Sequence, residues 1–294
     1  MASKKTVLLV VNPIAGGKDK AAIVKAAQDR ADELGYGWIE YETDGEEDIR
    51  KIKSLYQDRQ PARVLVAGGD GTIKMTAEAL QEYNVPLGIL PSGSANGLAV
   101  DLGFPARIEE YLDIAFGDHF LELDMILING QRSLHLSDLG LNAELIKNYE
   151  QSTIRGKLGY ALQTVNTLTD DPVVFNAVVE VNGQKTEVAT KLVVIANSQK
   201  YGTGVTVNPV GSMDDGKFEI VLFRNLDLIT VGKIIAGNMP LDTGEVEIIT
   251  ASKATITTDI DVHFQVDGEY CGEVSRLEIE ILPRQMKVAA PPPV

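Results

Sequence analysis

The chain has 294 residues, enough for two domains with cores of their own. Its 27 Lys and Arg against 42 Asp and Glu give a formal charge of −15. Such an acid balance argues against broad nucleic-acid binding and against membrane attachment through a polybasic patch, because both need a basic surface. A single cysteine, Cys271, excludes an intrachain disulfide and fits a reducing cytosol.

Strand and helix alternate over the first 120 or so residues. The apolar run 6–11 is too short for a signal peptide, and as a continuous β-rich run it predicts a strand covered on both faces. Residues 19–35 predict a helix, with Ile23, Ala27, Arg30 and Leu34 at helical spacing and Gly35 as a stop. A strand (38–43), a helix (46–58, with Ile49, Ile52 and Tyr56 on one face), a strand (62–68), a helix (72–83) and a strand (86–90) follow, and a further helical stretch starts near Ser94. The acidic run 44–48 suits a helix N-terminus. This order predicts an open α/β sheet.

Near residue 120 the pattern changes. Segments 120–129, 132–140, 173–183, 185–197, 216–223, 245–258, 262–269 and 276–282 read as strands, many with period-two alternation and turn residues between them. They predict an antiparallel sandwich or barrel, interrupted by helical pieces at 156–168 and 226–238. The Pro-rich tail 289–294 predicts a disordered end.

Three glycine-rich turns each sit where a strand hands over to a helix: 12–18, 68–72 and 91–97. Parallel strands bring such turns to one sheet edge, the usual ligand crevice of α/β folds. Glycine lets backbone N–H groups approach phosphate oxygens, and helix N-termini add donors. One such turn is more often plain turn chemistry, but three at equivalent positions are hard to explain that way. Asp70, a carboxylate in a loop of phosphate-binding type, needs a metal or a ribose hydroxyl to serve. Neither the P-loop spacing nor G-x-G-x-x-G is present.

The second turn, Gly68-Gly69-Asp70-Gly71-Thr72, resembles the GGDGT signature of the diacylglycerol kinase catalytic-domain family, whose superfamily includes sphingosine kinases and, more distantly, NAD kinases and phosphofructokinases. Asn12-Pro13 with Gly16-Gly17-Lys18 resembles that family's VNPxxGxxK opening, and 90–103 its LPxGTxNDxAxxLG element. Segments 214–223 and 264–270 resemble its DDGxLxV and DGE elements. The matches keep family order from residue 7 to about 283.

The resemblance implies an N-terminal α/β nucleotide-binding domain, 1–122, and a C-terminal antiparallel β-sandwich, 123–283, with a lipid site in the cleft between them and 284–294 a candidate to pack back on the first domain. It implies an ATP- and Mg²⁺-dependent lipid kinase. Asn12, Pro13, Gly17, Thr43, Gly68, Gly69, Asp70, Gly71, Thr72, Ser94 and Asn96 would surround the nucleotide, with Asp70 in a catalytic role. Glu269 would be the general base toward a hydroxyl of diacylglycerol or a sphingoid base. A structural Mg²⁺ would sit on Asp215 with the carbonyls of Ser212 and Lys217, although Asp215-Gly216 also reads as a plain turn, and Glu269 as a hairpin residue. The family aspartate after Asn96 is replaced by Gly97, so of that acidic cluster Asp70 and Asp124 remain, with Asp101 a turn later as a substitute. This leaves open a kinase of the same superfamily with a soluble acceptor, or a silent nucleotide- or lipid-binding protein. The expected partners are ATP and a membrane-derived lipid met by transient peripheral contact from the cytoplasm, with no nucleic acid; a homodimer is left open. His119, His135 and His263 lack metal-ligand spacing.

Overall fold

A computed structural model describes residues 5–17, 19–141, 143, 173–200, 205–224 and 244–292. Lys18 and the expected helices at 156–168 and 226–238 lie outside the described residues. The chain divides into two compact units, Met1–Leu123 with Arg284–Val294, and Asp124–Pro283.

The first unit is a parallel sheet between helices. Its strands β1 (Thr6–Val11), β2 (Gly37–Glu42), β3 (Arg63–Gly68) and β4 (Leu87–Pro91) stand in the order β2-β1-β3-β4. The helices are α1 (Ala21–Glu33), α2 (Asp48–Arg59), α3 (Asp70–Leu80), α4 (Gly97–Asp101) and α5 (Ile108–Ala115). Every residue of β3, and every residue of β1 from Val7 on, is buried, as a strand with helices on both sides requires. Val7, Leu9 and Val11 pack with Leu65, Ala67 and Leu90 under Ile23 and Ala27 of α1 and Tyr111, Leu112 and Ala115 of α5. Leu8, Val10, Val64, Val66 and Ile89 point to the opposite face and are equally buried. The chain's last strand adds a parallel rung, Val288 opposite Leu87.

The second unit is antiparallel. Its strands are β5 (Phe120–Ile128, entering from the first unit), β6 (Gln131–Ser133), β7 (Leu136–Gly140), β8 (Phe175–Val181), β9 (Gln184–Thr190), β10 (Leu192–Ala196), β11 (Phe218–Phe223), β12 (Val246–Ala251), β13 (Lys253–Val266) and β14 (Glu269–Ala289, leaving for the first unit). The order β12-β11-β10-β7-β13-β14 is hydrogen-bonded throughout. The long β13 changes partner along its length, pairing with β8 at 255–258 and with β7 at 264–266. Irregularities in its pairing with β14, between Thr257 and Val262 and between His263 and Gln265, accompany that change of partner. Residues on β10 and β11 alternate between two cores: Val193, Ile195, Ile220 and Leu222 join one, Val194, Ala196, Val221 and Phe223 the other. Burial on both faces explains why these strands read as unbroken apolar runs.

Several expected elements differ in detail. Segment 132–140 breaks into β6 and β7, and 185–197 into β9 and β10, because Thr190 turns its hydroxyl back to accept the Leu192 N–H (3.1 Å). Residues 253–258 belong with 262–266 in one strand. Ile49 and Leu34 are exposed, since α2 turns Asp48 and Ile52 inward and α1 turns Ile23, Ala27 and Ala31. Asp48 is buried because its carboxylate accepts the Tyr41 hydroxyl (2.5 Å) and the Asp44 and Gly45 N–H groups (3.2 and 2.9 Å). The tail packs at its start, where Ala289 and Ala290 are buried and the Ala290 N–H donates to the His119 carbonyl (3.1 Å); residues 293–294 lie outside the described residues. Helix α5, which the sequence reading leaves unassigned, has a strong anchor. Buried Arg63 donates to the carbonyls of Ala115 (2.9 Å) and Gly117 (2.8 Å) at its C-terminus, where a cation is favoured.

Glu219, on β11, is the acidic residue within these buried runs. Burial pushes its carboxyl above the ordinary glutamate range, against hydrogen bonds from Asn208 (2.8 Å) and Thr250 that pull it down. A carboxyl raised by folding stabilises the fold when protonated, and that contribution is lost as pH rises through the folded value. Glu219→Gln keeps an acceptor for Asn208 and removes the titration. Its melting temperature should therefore gain on wild type as pH rises above the ordinary glutamate range, as thermal unfolding across a pH series would read.

Candidate nucleotide and acceptor sites

At the carboxyl ends of β1, β3 and β4 the three glycine turns touch one another. A Cβ on Gly93 would lie 2.5 Å from the Gly69 Cα and 3.1 Å from its nitrogen, so the second and third turns meet backbone to backbone. Gly16, at φ 63°, presses on the third turn, and a Cβ there would lie 2.7 Å from the Ser92 carbonyl oxygen. Asn12 links the first turn to the second by donating from Nδ2 to Thr72 Oγ1 (3.2 Å). Its Oδ1 accepts the Ile14 N–H (3.2 Å), closing a local turn around Pro13. The Thr43 N–H donates to the Val11 carbonyl (2.8 Å), which brings the end of β2 beside the first turn.

The side chains around these turns bond mainly to backbone. The Asp70 carboxylate accepts the N–H groups of Gly97 (2.7 Å) and Leu98 (3.0 Å), the first two residues of α4. Sequence reasoning offers this carboxylate a metal or a ribose; holding the start of a neighbouring helix is a use it does not consider. Asn96, left-handed at φ 55°, accepts the Gly93 N–H (2.7 Å) and donates back to the Gly93 carbonyl (3.2 Å), fixing the third turn. Lys20 is buried, and its ammonium donates to the carbonyls of Ala15 and Ser92. Gly68 and Thr72 are buried, whereas Gly17, Gly71 and Ser94 are exposed; the Gly17 N–H donates to the Ile14 carbonyl (3.2 Å). Asp101 ends α4.

In the second unit, Asp267 and Gly268 form the two-residue turn between β13 and β14, both left-handed (φ 51° and 86°), as a type I′ hairpin demands. Exposed Glu269 follows, opposite Val266. Sequence reasoning passes over what holds this hairpin. The Asp267 carboxylate accepts the Ser133 hydroxyl and the Leu134 and His135 N–H groups, each at 2.9 Å. Buried Gln265 accepts the Gly268 N–H (2.7 Å) and donates to buried Asp138 (2.5 Å). The signal available in sequence is the Asp-Gly pair.

Turn 212–217 is organised by Asp124, which accepts the Gly216 N–H on Oδ2 (2.7 Å) and gives its own N–H to the Met213 carbonyl (2.7 Å). Asp124 therefore has a structural task at this turn, beyond the acidic cluster expected of it. Asp215 is exposed and accepts the Lys217 N–H (3.0 Å), while the Ser212 hydroxyl donates to Asp214 (2.6 Å). Among the described residues no group of three His, Cys, Asp or Glu side chains could hold a metal. A cation here would rest on one carboxylate and main-chain carbonyls, an all-oxygen set that suits Mg²⁺.

A parallel α/β unit with glycine turns at its strand ends, followed by an antiparallel sandwich, is the build of a two-domain kinase of the diacylglycerol kinase type. The profile of the diacylglycerol kinase catalytic domain matches residues 6–128, and that of the YegS C-terminal NAD kinase beta sandwich-like domain matches 138–290. The chain belongs to this diacylglycerol kinase and YegS-like lipid kinase family. A candidate lipid kinase of Staphylococcus epidermidis is 25% identical over 251 residues, covering 82% of this chain and 81% of that protein. One of Staphylococcus haemolyticus is 25% identical over 246 residues, covering 81% and 79%. The crystal structure of a candidate diacylglycerol kinase from Bacillus anthracis superposes with a TM-score of 0.80 at 22% identity, covering 99% of both chains.

The Gly69–Gly93 contact leaves no room for a side chain. Gly93→Ala should lower stability by about 1–3 kcal/mol in urea unfolding, as overpacking does in a site that cannot give. Gly17→Ala, at a position with open space around it, carries only the strain of its positive φ (61°) and should cost about 1 kcal/mol.

Proposed function

We propose that this protein is an ATP- and Mg²⁺-dependent lipid kinase that phosphorylates a hydroxyl of diacylglycerol or of a related long-chain alcohol such as a sphingoid base. The mutual packing of the three glycine turns carries this reading, in a chain whose family profiles cover both units. Asn12, Pro13, Gly17, Thr43, Gly68, Gly69, Gly71, Thr72, Ser94 and Asn96 are the nucleotide's surroundings, contributing backbone donors and small side chains at strand ends. Asp70 acts through α4, whose first amides it holds.

Phosphoryl transfer needs positioning, charge neutralisation and a base near the attacking hydroxyl. Glu269 takes the hydroxyl proton, the lipid oxygen forms a bond to the γ-phosphorus, and the bond to ADP breaks, so one phosphoryl group moves and one proton is released. The hairpin held by Asp267 and Gln265 gives Glu269 a fixed backbone from which to act. Magnesium supplies charge neutralisation to the phosphates when bound with ATP. The Asp215 carboxylate with the Ser212 and Lys217 carbonyls would hold a second, structural Mg²⁺ in turn 212–217. Among the described residues no helix is long and apolar enough to cross a membrane, so the lipid would be met by transient contact at the inner face of the membrane.

The test is transfer from labelled ATP to diacylglycerol, sphingosine, ceramide or phosphatidylglycerol in mixed micelles, with and without Mg²⁺. A labelled lipid is expected with Mg²⁺ alone, with kcat lowered about 100-fold or more in Glu269→Gln. ATP binding without any labelled lipid would overturn the lipid acceptor, and full activity of Glu269→Gln would overturn the base.

A further inference from the structure

Lys20 stands against the preferences of its position. It is the N-cap of α1, where Ser, Thr, Asp and Asn are favoured and a positive charge opposes the helix dipole. The capping is done by its neighbour instead, Asp19 accepting the Ala21 N–H (2.9 Å). Lysine usually keeps its ammonium in water, yet Lys20 is only 6% exposed. A buried ammonium is costly unless its hydrogens find acceptors. Here they find backbone carbonyls of two different turns, Ala15 in the first and Ser92 in the third (2.9 Å for Ser92).

We infer that Lys20 is a positioning residue for phosphate recognition, its ammonium tying the first glycine turn to the third and so aiming the Gly16 N–H at the nucleotide phosphates. The inference rests on the nucleotide reading above and adds a residue to it. The peptide bonds are trans, so a carbonyl and the following N–H point in opposite directions. With the Ala15 carbonyl drawn to Lys20, the Gly16 N–H faces the other way. The fit is close on both sides, since a Cβ on Gly16 would lie 2.7 Å from the Ser92 oxygen that Lys20 holds. The charge also acts directly. A buried cation behind a loop attracts an anion in front of it with less screening than a surface lysine would.

Calorimetric titration of the full chain with ATP, and with adenosine as a competitor that lacks phosphates, separates this role from general support of the fold. Wild type should bind both. Lys20→Met should bind ATP about tenfold more weakly or worse, while adenosine affinity stays within about twofold. Gly16→Ala, which wedges the same two turns apart with Lys20 intact, should show the same phosphate-selective loss, and it serves as the test if Lys20→Met does not fold. Equal weakening of ATP and adenosine, or unchanged ATP affinity in the folded variants, would overturn the role of Lys20 and leave the nucleotide site standing. A wild-type chain that binds no ATP would instead remove the nucleotide reading, and this inference with it.

Discussion

The edge of the first unit depends on one steric fact, the absence of a side chain between Gly69 and Gly93. With nothing between them, two strand–helix turns lie backbone against backbone, and Gly16 brings a third against the same point. Packing peptide groups this closely crowds out water, and each buried N–H or carbonyl then needs a partner. The polar side chains of the region meet that need. Asn96 serves Gly93, Asp70 serves the first amides of α4, and Lys20 serves the carbonyls of Ala15 and Ser92. The glycines make the close approach possible, and the charged residues make it stable.

The same economy runs through the second unit. Asp267 is fixed on Ser133, Leu134 and His135, and Asp124 holds turn 212–217 through Gly216. Three aspartates of the family motifs, Asp70, Asp124 and Asp267, thus bond to backbone amides, and such charge-assisted bonds are the strong kind. Glu269 and Asp215 differ from them in being exposed. Exposure leaves Glu269 and Asp215 open to solvent, which is what the proposed roles of a base and of a cation ligand require of them.

Much of the architecture was legible in the sequence because burial wrote it there. Strands β1 and β3 read as continuous apolar runs because helices cover both faces, and β8 alternates because only one face is covered. Period and length therefore revealed an α/β half followed by an antiparallel half. What stayed hidden turns on single side-chain contacts. The break at Thr190 is a hydroxyl turned back on its own chain. Helix α5 is short, and its end is secured by Arg63, which lies 52 residues from Ala115. The glycine turns were visible as composition, but their contact was not, because it joins residues from different strand ends. The tail 289–294 looked like a loose Pro-rich end, yet Ala289 and Ala290 pack because β14 continues beside β4.

Gly97 shows how a departure from a family pattern can be absorbed. The signature that segment 90–103 resembles has a carboxylate at this position, and its replacement raises the question of what Asp70 then does. Here Gly97 contributes its backbone N–H, at 2.7 Å from the Asp70 carboxylate, and Leu98 adds a second donor at 3.0 Å. Two carboxylates at this spot would repel each other and raise the proton affinity of one of them. The one carboxylate present bonds the first two amides of α4. The substitution therefore removes a negative charge from beside the turns proposed to receive phosphates while keeping the link between the second and third turns.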